Sequence, residues 1–264
     1  MTTTTVPLEI TWEKLPENYI LPDDPVDNIH QPLLAEALTD SLELAGRIPE
    51  NALTGSNYGI CATVNSKMVV KAPDWFYVPS IRVPHSEVDR SYTPQLQGEP
   101  PAIVMEFLSE TEGTEYSTKP TYPPGKWFFY EQVLRVPVYV IFDLAEGILE
   151  VYRLDSSGRY REETPDTHDR YWIAELSLFL GLWPGIRHNR EGDWLRWWDE
   201  TGTLLLWGSE LVQLERDRAE LERERAEQER DRAELERERA EQERDRADRL
   251  LTQLREAGIE PNLE

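Results

Sequence analysis

Three short segments, in fixed order along the chain, carry the residue types that metal-assisted hydrolysis of a phosphodiester uses. Pro73-Asp74 opens an apolar strand, Glu106 lies inside the next strong strand, and Lys126 opens a helix beyond it. Two carboxylates can hold a hard divalent cation that activates water and neutralises charge on the reacting phosphate, while a lysine orients the attacking water. Asp74 leads into Trp75-Phe76-Tyr77-Val78, and Glu106 is flanked by Ile103-Val104-Met105 and Phe107-Leu108. A carboxylate costs several kcal/mol to bury without a partner, so an acid in a strand interior asks for a cation beside it. The backbone carbonyl near Phe107 is a plausible third ligand. His30, His85, His168 and His188 are scattered without ligand spacing, so a metal here is expected to be held by oxygen. That favours Mg2+, with Mn2+ as the alternative, over zinc.

Each residue alone has a plainer reading. An aspartate after proline is common at strand entry, Lys126 could be an exposed first-turn lysine, and Tyr130 a packing residue. Glu106 is harder to dismiss, because large apolar residues surround it. Order and spacing together favour a site. Two other chemistries fail on sequence. Gly125-Lys126 is followed by Trp127 where a phosphate-binding loop needs Ser or Thr, and Ser109 has neither a positioned histidine nor the glycines of a nucleophile elbow.

The rest of the chain positions these residues or extends beyond them. Residues 1–30, rich in Pro, Asp and Thr, read as an extended, loosely ordered arm. Leu33, Leu34, Ala37, Leu38, Leu42 and Ala45 recur at helical spacing from Gln31, and Gly46 stops the helix. Ile60–Val64, Lys67–Ala72 and Asp74–Val78 read as strands, the first two joined as a hairpin through Asn65-Ser66. A proline-rich loop from Pro79 to Pro100, expected to contact substrate, leads to the near-continuous apolar strand Ala102–Leu108. Pro123-Pro124-Gly125 then precedes a helix at Lys126–Leu134 and a buried strand at Val136–Phe142. A hairpin over Leu149–Leu154 and Tyr160–Glu163, turning at Ser156-Ser157-Gly158, precedes a tryptophan-rich β extension. Its tryptophans suit packing better than base stacking, because few basic residues interleave with them. The main domain is thus placed at 31–208, a long charged helix at 209–257, and a tail at 258–264.

The helix carries a fourteen-residue unit that begins at Glu215, recurs at Glu229 and starts again at Glu243. Acid and arginine alternate at i,i+3 and i,i+4, each pair worth about 0.2–0.5 kcal/mol. The heptad series Leu214, Leu221, Gln228, Leu235, Gln242 is half polar, which leaves both a solvated single helix and a parallel homodimer open.

Net charge is −23. Residues 215–249 hold 15 acids and 11 arginines, and residues 250–264 add 3 acids and 1 arginine; residues 1–214 therefore keep 33 acids against 16 Lys plus Arg, net −17. Such a body has no broad basic footprint and argues against tight, nonspecific nucleic-acid binding. No run of eighteen apolar residues exists, and the first residues lack the regions of a signal peptide, so a soluble, cytoplasmic protein is expected, with no membrane partner. Cys61, the only cysteine, lies in the apolar run Ile60–Val64 and reads as a buried, inert thiol.

Pro73-Asp74, Glu106-Phe107-Leu108-Ser109, Lys126 with Tyr130 one turn on, and Val138-Tyr139-Val140-Ile141-Phe142-Asp143 together resemble the Uma-type restriction endonuclease family of the PD-(D/E)XK nuclease superfamily. The resemblance covers roughly residues 31–154. It implies a mixed sheet flanked by helices in αβββαβ order, which the strands and helices read above match. It implies DNA as substrate and Asp74 and Glu106 as metal ligands. In the superfamily's usual pattern a lysine stands two residues after the second acid, where this chain has Leu108; the Uma-type group is thought to take it from the following helix, the position of Lys126. An acid from the first helix is also implied, for which Glu36 is the candidate, and Tyr130 is an accessory candidate.

The expected fold is therefore α/β of the mixed α+β kind: a restriction-endonuclease-like αβββαβ core, a small β extension and a long C-terminal charged helix. The leading function is a Mg2+-dependent endodeoxyribonuclease with Asp74, Glu106 and Lys126 as its catalytic residues. The alternative is a nonenzymatic scaffold of the same shape that dimerises or holds a partner through its C-terminal helix.

Overall fold

The computed structural model describes residues 8–16, 29–108 and 114–258. It separates into two units, Met1–Gly208 and Ser209–Glu264. Residues 1–7 and 17–28 of the expected arm, Ser109, and residues 259–264 of the expected tail lie outside the described residues.

In the first unit a short strand β1 (Ile10–Thr11) precedes helix α1 (His30–Leu44). Leu34, Leu38 and Leu42 recur at helical spacing and are buried on one face of α1. The helix ends where Gly46 takes φ +64 and gives its N–H to the Glu43 carbonyl at 2.9 Å, a left-handed closure that suits a residue without Cβ. Strands β2 (Leu53–Gly55), β3 (Ile60–Val64), β4 (Lys67–Lys71), β5 (Trp75–Val78) and β6 (Ile103–Leu108) follow. Next come one α-turn, α2 (Lys126–Phe128), and a wider π-helical continuation over Phe129–Leu134. Strands β7 (Val138–Asp143), β8 (Ile148–Leu154), β9 (Tyr160–Glu162), β10 (Arg170–Ile173), β11 (Leu178–Arg187) and β12 (Arg190–Trp198) complete the unit.

The central sheet has the order β2-β5-β6-β7-β8-β9. Strands β6 and β7 are parallel, with Glu106 opposite Ile141, and the other neighbours are antiparallel. A parallel pair needs a crossover connection. Here the crossover carries α2 and its π-helical continuation, so the parallel step itself brings Lys126 and Tyr130 over the sheet. Alternation along the strands then makes two cores. Trp75, Met105, Phe107 and Val140 join Leu34 and Leu38 of α1 and Trp197 of the β extension. Phe76, Val104, Tyr139 and Ile141 join Phe129, Tyr130 and Val133 of the crossover. Both faces of the central strands are covered, which explains their unbroken apolar runs.

This architecture is the mixed α+β fold expected from the sequence, and α1, β2, β5, β6, the crossover helix and β7 supply the αβββαβ order. The strand assignment within it needs correction. The hairpin β3–β4 forms, with Asn65 and Ser66 at positive φ, but it joins β1 in a separate three-stranded sheet, and β2 takes the place in the central sheet. A three-residue strand is too short to show a period, and a hairpin's own pattern does not reveal which sheet it joins.

The described part of the N-terminal arm is not loose. Ile10 pairs with Val64, Leu15 is buried, and Thr93 Oγ1 donates to the Glu13 carbonyl at 3.1 Å. The segment 79–100 is also packed, with Tyr92 and Thr93 fully buried and Tyr92 bridged to Ile60. Its anchors, Val78 and Ala102, lie at the end of the β5–β6 pair away from Asp74. The strand register therefore does not bring this loop's ends to the acids. Strands β10, β11 and β12 form the tryptophan-rich extension, where Trp194, Trp197 and Trp207 are buried as core residues. Cys61 is fully buried and burial pushes its thiol up to about 11, an inert state.

The described residues of the second unit belong mainly to helix α3 (Gly208–Glu256), 49 residues without a buried side chain. At about 1.5 Å per residue it is roughly 70 Å long. Its surface carries the i,i+4 ion pairs Arg218–Glu222 at 3.5 Å and Arg232–Glu236 at 3.3 Å. Among the described residues no helix is long and apolar enough to cross a membrane.

The two kinds of leucine predict opposite responses to truncation. Leu38→Ala, at a fully buried position, is expected to cost about 2–5 kcal/mol in urea unfolding. Leu221→Ala, on the exposed surface of α3, is expected to change stability by less than about 0.5 kcal/mol. A wild-type midpoint for Leu38→Ala would contradict this placement of α1.

Candidate active site

Glu106 forms the floor of the site. Period-two alternation along β6 turns Met105 and Phe107 toward α1 and sends Glu106 to the opposite face, under the crossover helix. Its side chain is fully buried. Lys126 and Tyr130, four residues apart and so on one helix face, both reach it. Lys126 Nζ stands 3.1 Å from Oε2, and the Tyr130 hydroxyl donates to Oε1 at 2.7 Å.

Asp74 enters from the side. The antiparallel ladder between β5 and β6 stops at Trp75 opposite Met105, and the Pro73 carbonyl is taken by the Asn57 N–H at 2.9 Å. The Phe107 N–H, the next along β6, donates instead to Asp74 Oδ2 at 2.6 Å. The carbonyl of Phe107 accepts from Gln31 Nε2, also at 2.6 Å. Both polar groups of the residue after Glu106 are thus fixed by side chains from β5's entry and α1's first turn.

A fourth charged group completes the cluster. Glu115 Oε1 is 3.3 Å from Lys126 Nζ, and the Glu115 side chain is almost fully buried. The segment that carries it lies against the start of α2, where a Cβ on Gly125 would meet the Ser117 carbonyl oxygen at 2.0 Å. Only glycine allows that approach.

Burial pushes the Glu106 carboxyl up to about 8, and the nearby Asp74 charge adds to the rise, while Lys126 and the Tyr130 hydroxyl pull the other way. Burial would lower Lys126, but Glu106, Glu115 and Asp74 together hold its ammonium above the ordinary lysine range. Glu106 is sealed from solvent, whereas Lys126 keeps 22% of its side-chain surface exposed. Lys126 and the half-buried Asp74 are the groups open to solvent, and Glu106 lies beneath them.

Of the residues anticipated from sequence, Asp74, Glu106, Lys126 and Tyr130 come together. Glu36 does not. It sits on the outward face of α1, with Arg187 Nη2 and His188 Nε2 each 3.8 Å from its Oε2 at the β11–β12 turn. The α1 residue that reaches the site is Gln31, which shares the inward stripe with Leu34, Leu38 and Leu42; a polar residue on that stripe was its sequence signal. Glu115 gave no such signal, because it lies in a polar loop without periodicity.

The donor set suits a hard divalent cation. Among the described residues no three His, Cys, Asp or Glu side chains converge as a ready cage. The Asp74 and Glu106 carboxylates and the Phe107 carbonyl are all oxygen donors, in the small number Mg2+ takes when water fills its remaining positions. A cation at Glu106 would take the place Lys126 Nζ holds.

A family model, Uma2, described as "Putative restriction endonuclease", matches residues 14–187, more than half of the chain and all the residues of this cluster. A search of curated proteins gives no match.

Tyr130→Phe removes one hydrogen bond to a sealed carboxylate and nothing else of that shape. It is expected to lower stability by about 1–3 kcal/mol in urea unfolding. Wild-type stability in this variant would contradict the buried Tyr130–Glu106 pair.

Proposed function

We propose, from the premise that the chain belongs to the Uma2 family of restriction endonucleases, that it is a Mg2+-dependent endodeoxyribonuclease hydrolysing phosphodiester bonds. The observation that carries this reading is the fully buried Glu106 held between Lys126 and Tyr130, with Asp74 fixed to the adjoining peptide. Asp74, Glu106 and the Phe107 carbonyl are the groups to hold the cation, with Mn2+ as a substitute. A divalent cation bound there supplies charge neutralisation at the phosphate and acidifies a bound water. Lys126, the solvent-reaching cation of the cluster, orients the attacking water and offsets charge on the phosphate oxygens. Tyr130 fixes the Glu106 carboxylate, and Gln31 fixes the direction of the Phe107 carbonyl.

The test is nicking of supercoiled DNA with Mg2+ or Mn2+. Asp74→Asn, Glu106→Gln and Lys126→Met are each expected to lower the rate by about 100-fold or more. Glu36→Gln, outside the cluster, is expected to cleave as the wild type does. Full activity in Glu106→Gln would overturn the assignment.

Helix α3 supports a second reading, because 49 residues without one buried side chain offer a surface and no part of a core. In that reading the chain is a nonenzymatic scaffold that dimerises or holds a partner through α3. Deleting residues 215–264 separates the two. Loss of self-association in sedimentation, with cleavage retained, supports an enzyme carrying an accessory helix; a wild-type chain that associates but never cleaves supports the scaffold.

A further inference from the structure

Lys126 stands between two buried carboxylates and only one belongs to the cation site proposed above. Its Nζ is 3.1 Å from Glu106 Oε2 and 3.3 Å from Glu115 Oε1. Glu115 is 6% exposed, and its second oxygen, Oε2, is sealed from solvent with no hydrogen-bond partner among the described residues. A buried acceptor left unmade costs about 1–3 kcal/mol. Glu115 is nonetheless firmly placed: its carbonyl accepts the Tyr139 hydroxyl at 3.0 Å, Thr114 Oγ1 donates to its Oε1 at 3.1 Å, and the glycine contact at Gly125 holds its segment against α2.

We propose that Glu115 is a positioning residue for Lys126, the carboxylate that takes the lysine over when Glu106 turns to a divalent cation. The inference rests on the reading of Asp74 and Glu106 as the cation's ligands. An ammonium and a divalent cation repel one another, so a cation on Glu106 requires Lys126 to give up that oxygen. An ammonium has three N–H groups. The one released by Glu106 has an unused acceptor next to it in Glu115 Oε2, and a lysine paired with both Glu115 oxygens stays beside the cation. Without Glu115 the lysine has only Glu106 for a buried counter-charge, and it competes with the metal for that group. Glu115 thus acts through Lys126, whose Nζ it meets at 3.3 Å.

Mn2+ titration of the full chain, read by the loss of the free-ion electron paramagnetic resonance signal, tests this without any cleavage assay. Four proteins form a double-mutant cycle: wild type, Glu115→Gln, Lys126→Met and the double variant. Glu115→Gln is expected to weaken Mn2+ binding about 10-fold, while Glu115→Asp, which keeps the charge, recovers most of that loss. With Lys126→Met in the background, Glu115→Gln is expected to have no further effect. Unchanged affinity in Glu115→Gln overturns the inference. An equal loss in both backgrounds also overturns it, because Glu115 would then ligate the metal itself. No Mn2+ binding by the wild type would remove the site reading, and this inference with it. Thermal melting checks that each variant is folded. Should Lys126→Met not fold, the contrast between Glu115→Gln and Glu115→Asp decides: equal losses in the two count against the proposal.

Discussion

One carboxylate sealed inside a β-sheet sets the terms for the rest of this structure. Glu106 interrupts an apolar strand buried on both faces, and a charge in that place stays only if a cation and hydrogen-bond donors are brought to it. The fold provides them by topology. The parallel step from β6 to β7 demands a crossover, the crossover helix lies on the face to which alternation sends Glu106, and its first turn and a half carry Lys126 and Tyr130. The Asn57 N–H takes the Pro73 carbonyl and so leaves the next N–H of β6 to Asp74. Gly125 permits the approach that adds Glu115. Site and topology are here one constraint seen from two sides.

The chemistry was more legible in the sequence than the architecture. An acid inside an apolar strand, another after a proline at strand entry, and a lysine and tyrosine one helical turn apart stand out by residue type and spacing, and these four converge. What failed was information that periodicity does not contain. A hairpin shows its own pairing in Asn65-Ser66 but not which sheet it joins, and β2, which enters the central sheet, is too short to show a period. The resemblance implies an acid on α1, for which Glu36 is the candidate, whereas the inward stripe of α1 points to Gln31. Glu115 depends on a close backbone approach at Gly125 and on a loop packed across the crossover, neither of which leaves a local pattern. The prolines of segment 79–100 mark a long loop, and they do not show that Tyr92 and Thr93 tie it into the core.

The charge distribution sharpens what a nucleic-acid substrate would ask of this chain. With 33 acids against 16 Lys plus Arg in residues 1–214, the body offers little long-range attraction to a phosphate backbone. Positive charge at the site comes from Lys126, outnumbered by Asp74, Glu106 and Glu115. A divalent cation would cancel that excess, and a polyanion would then meet no net repulsion at the site. The Uma2 match ends at residue 187, ahead of the repeated acid and arginine pairs of α3, where 15 acids face 11 arginines over residues 215–249.

The central claim is that Asp74 and Glu106 share a divalent cation that displaces Lys126 from Glu106. Anomalous diffraction from crystals soaked in Mn2+ tests it most directly. The account predicts one strong peak within about 2.0–2.3 Å of a carboxylate oxygen of each acid, with Lys126 Nζ withdrawn from Glu106. A site that holds no manganese, with Lys126 still on Glu106, would contradict it.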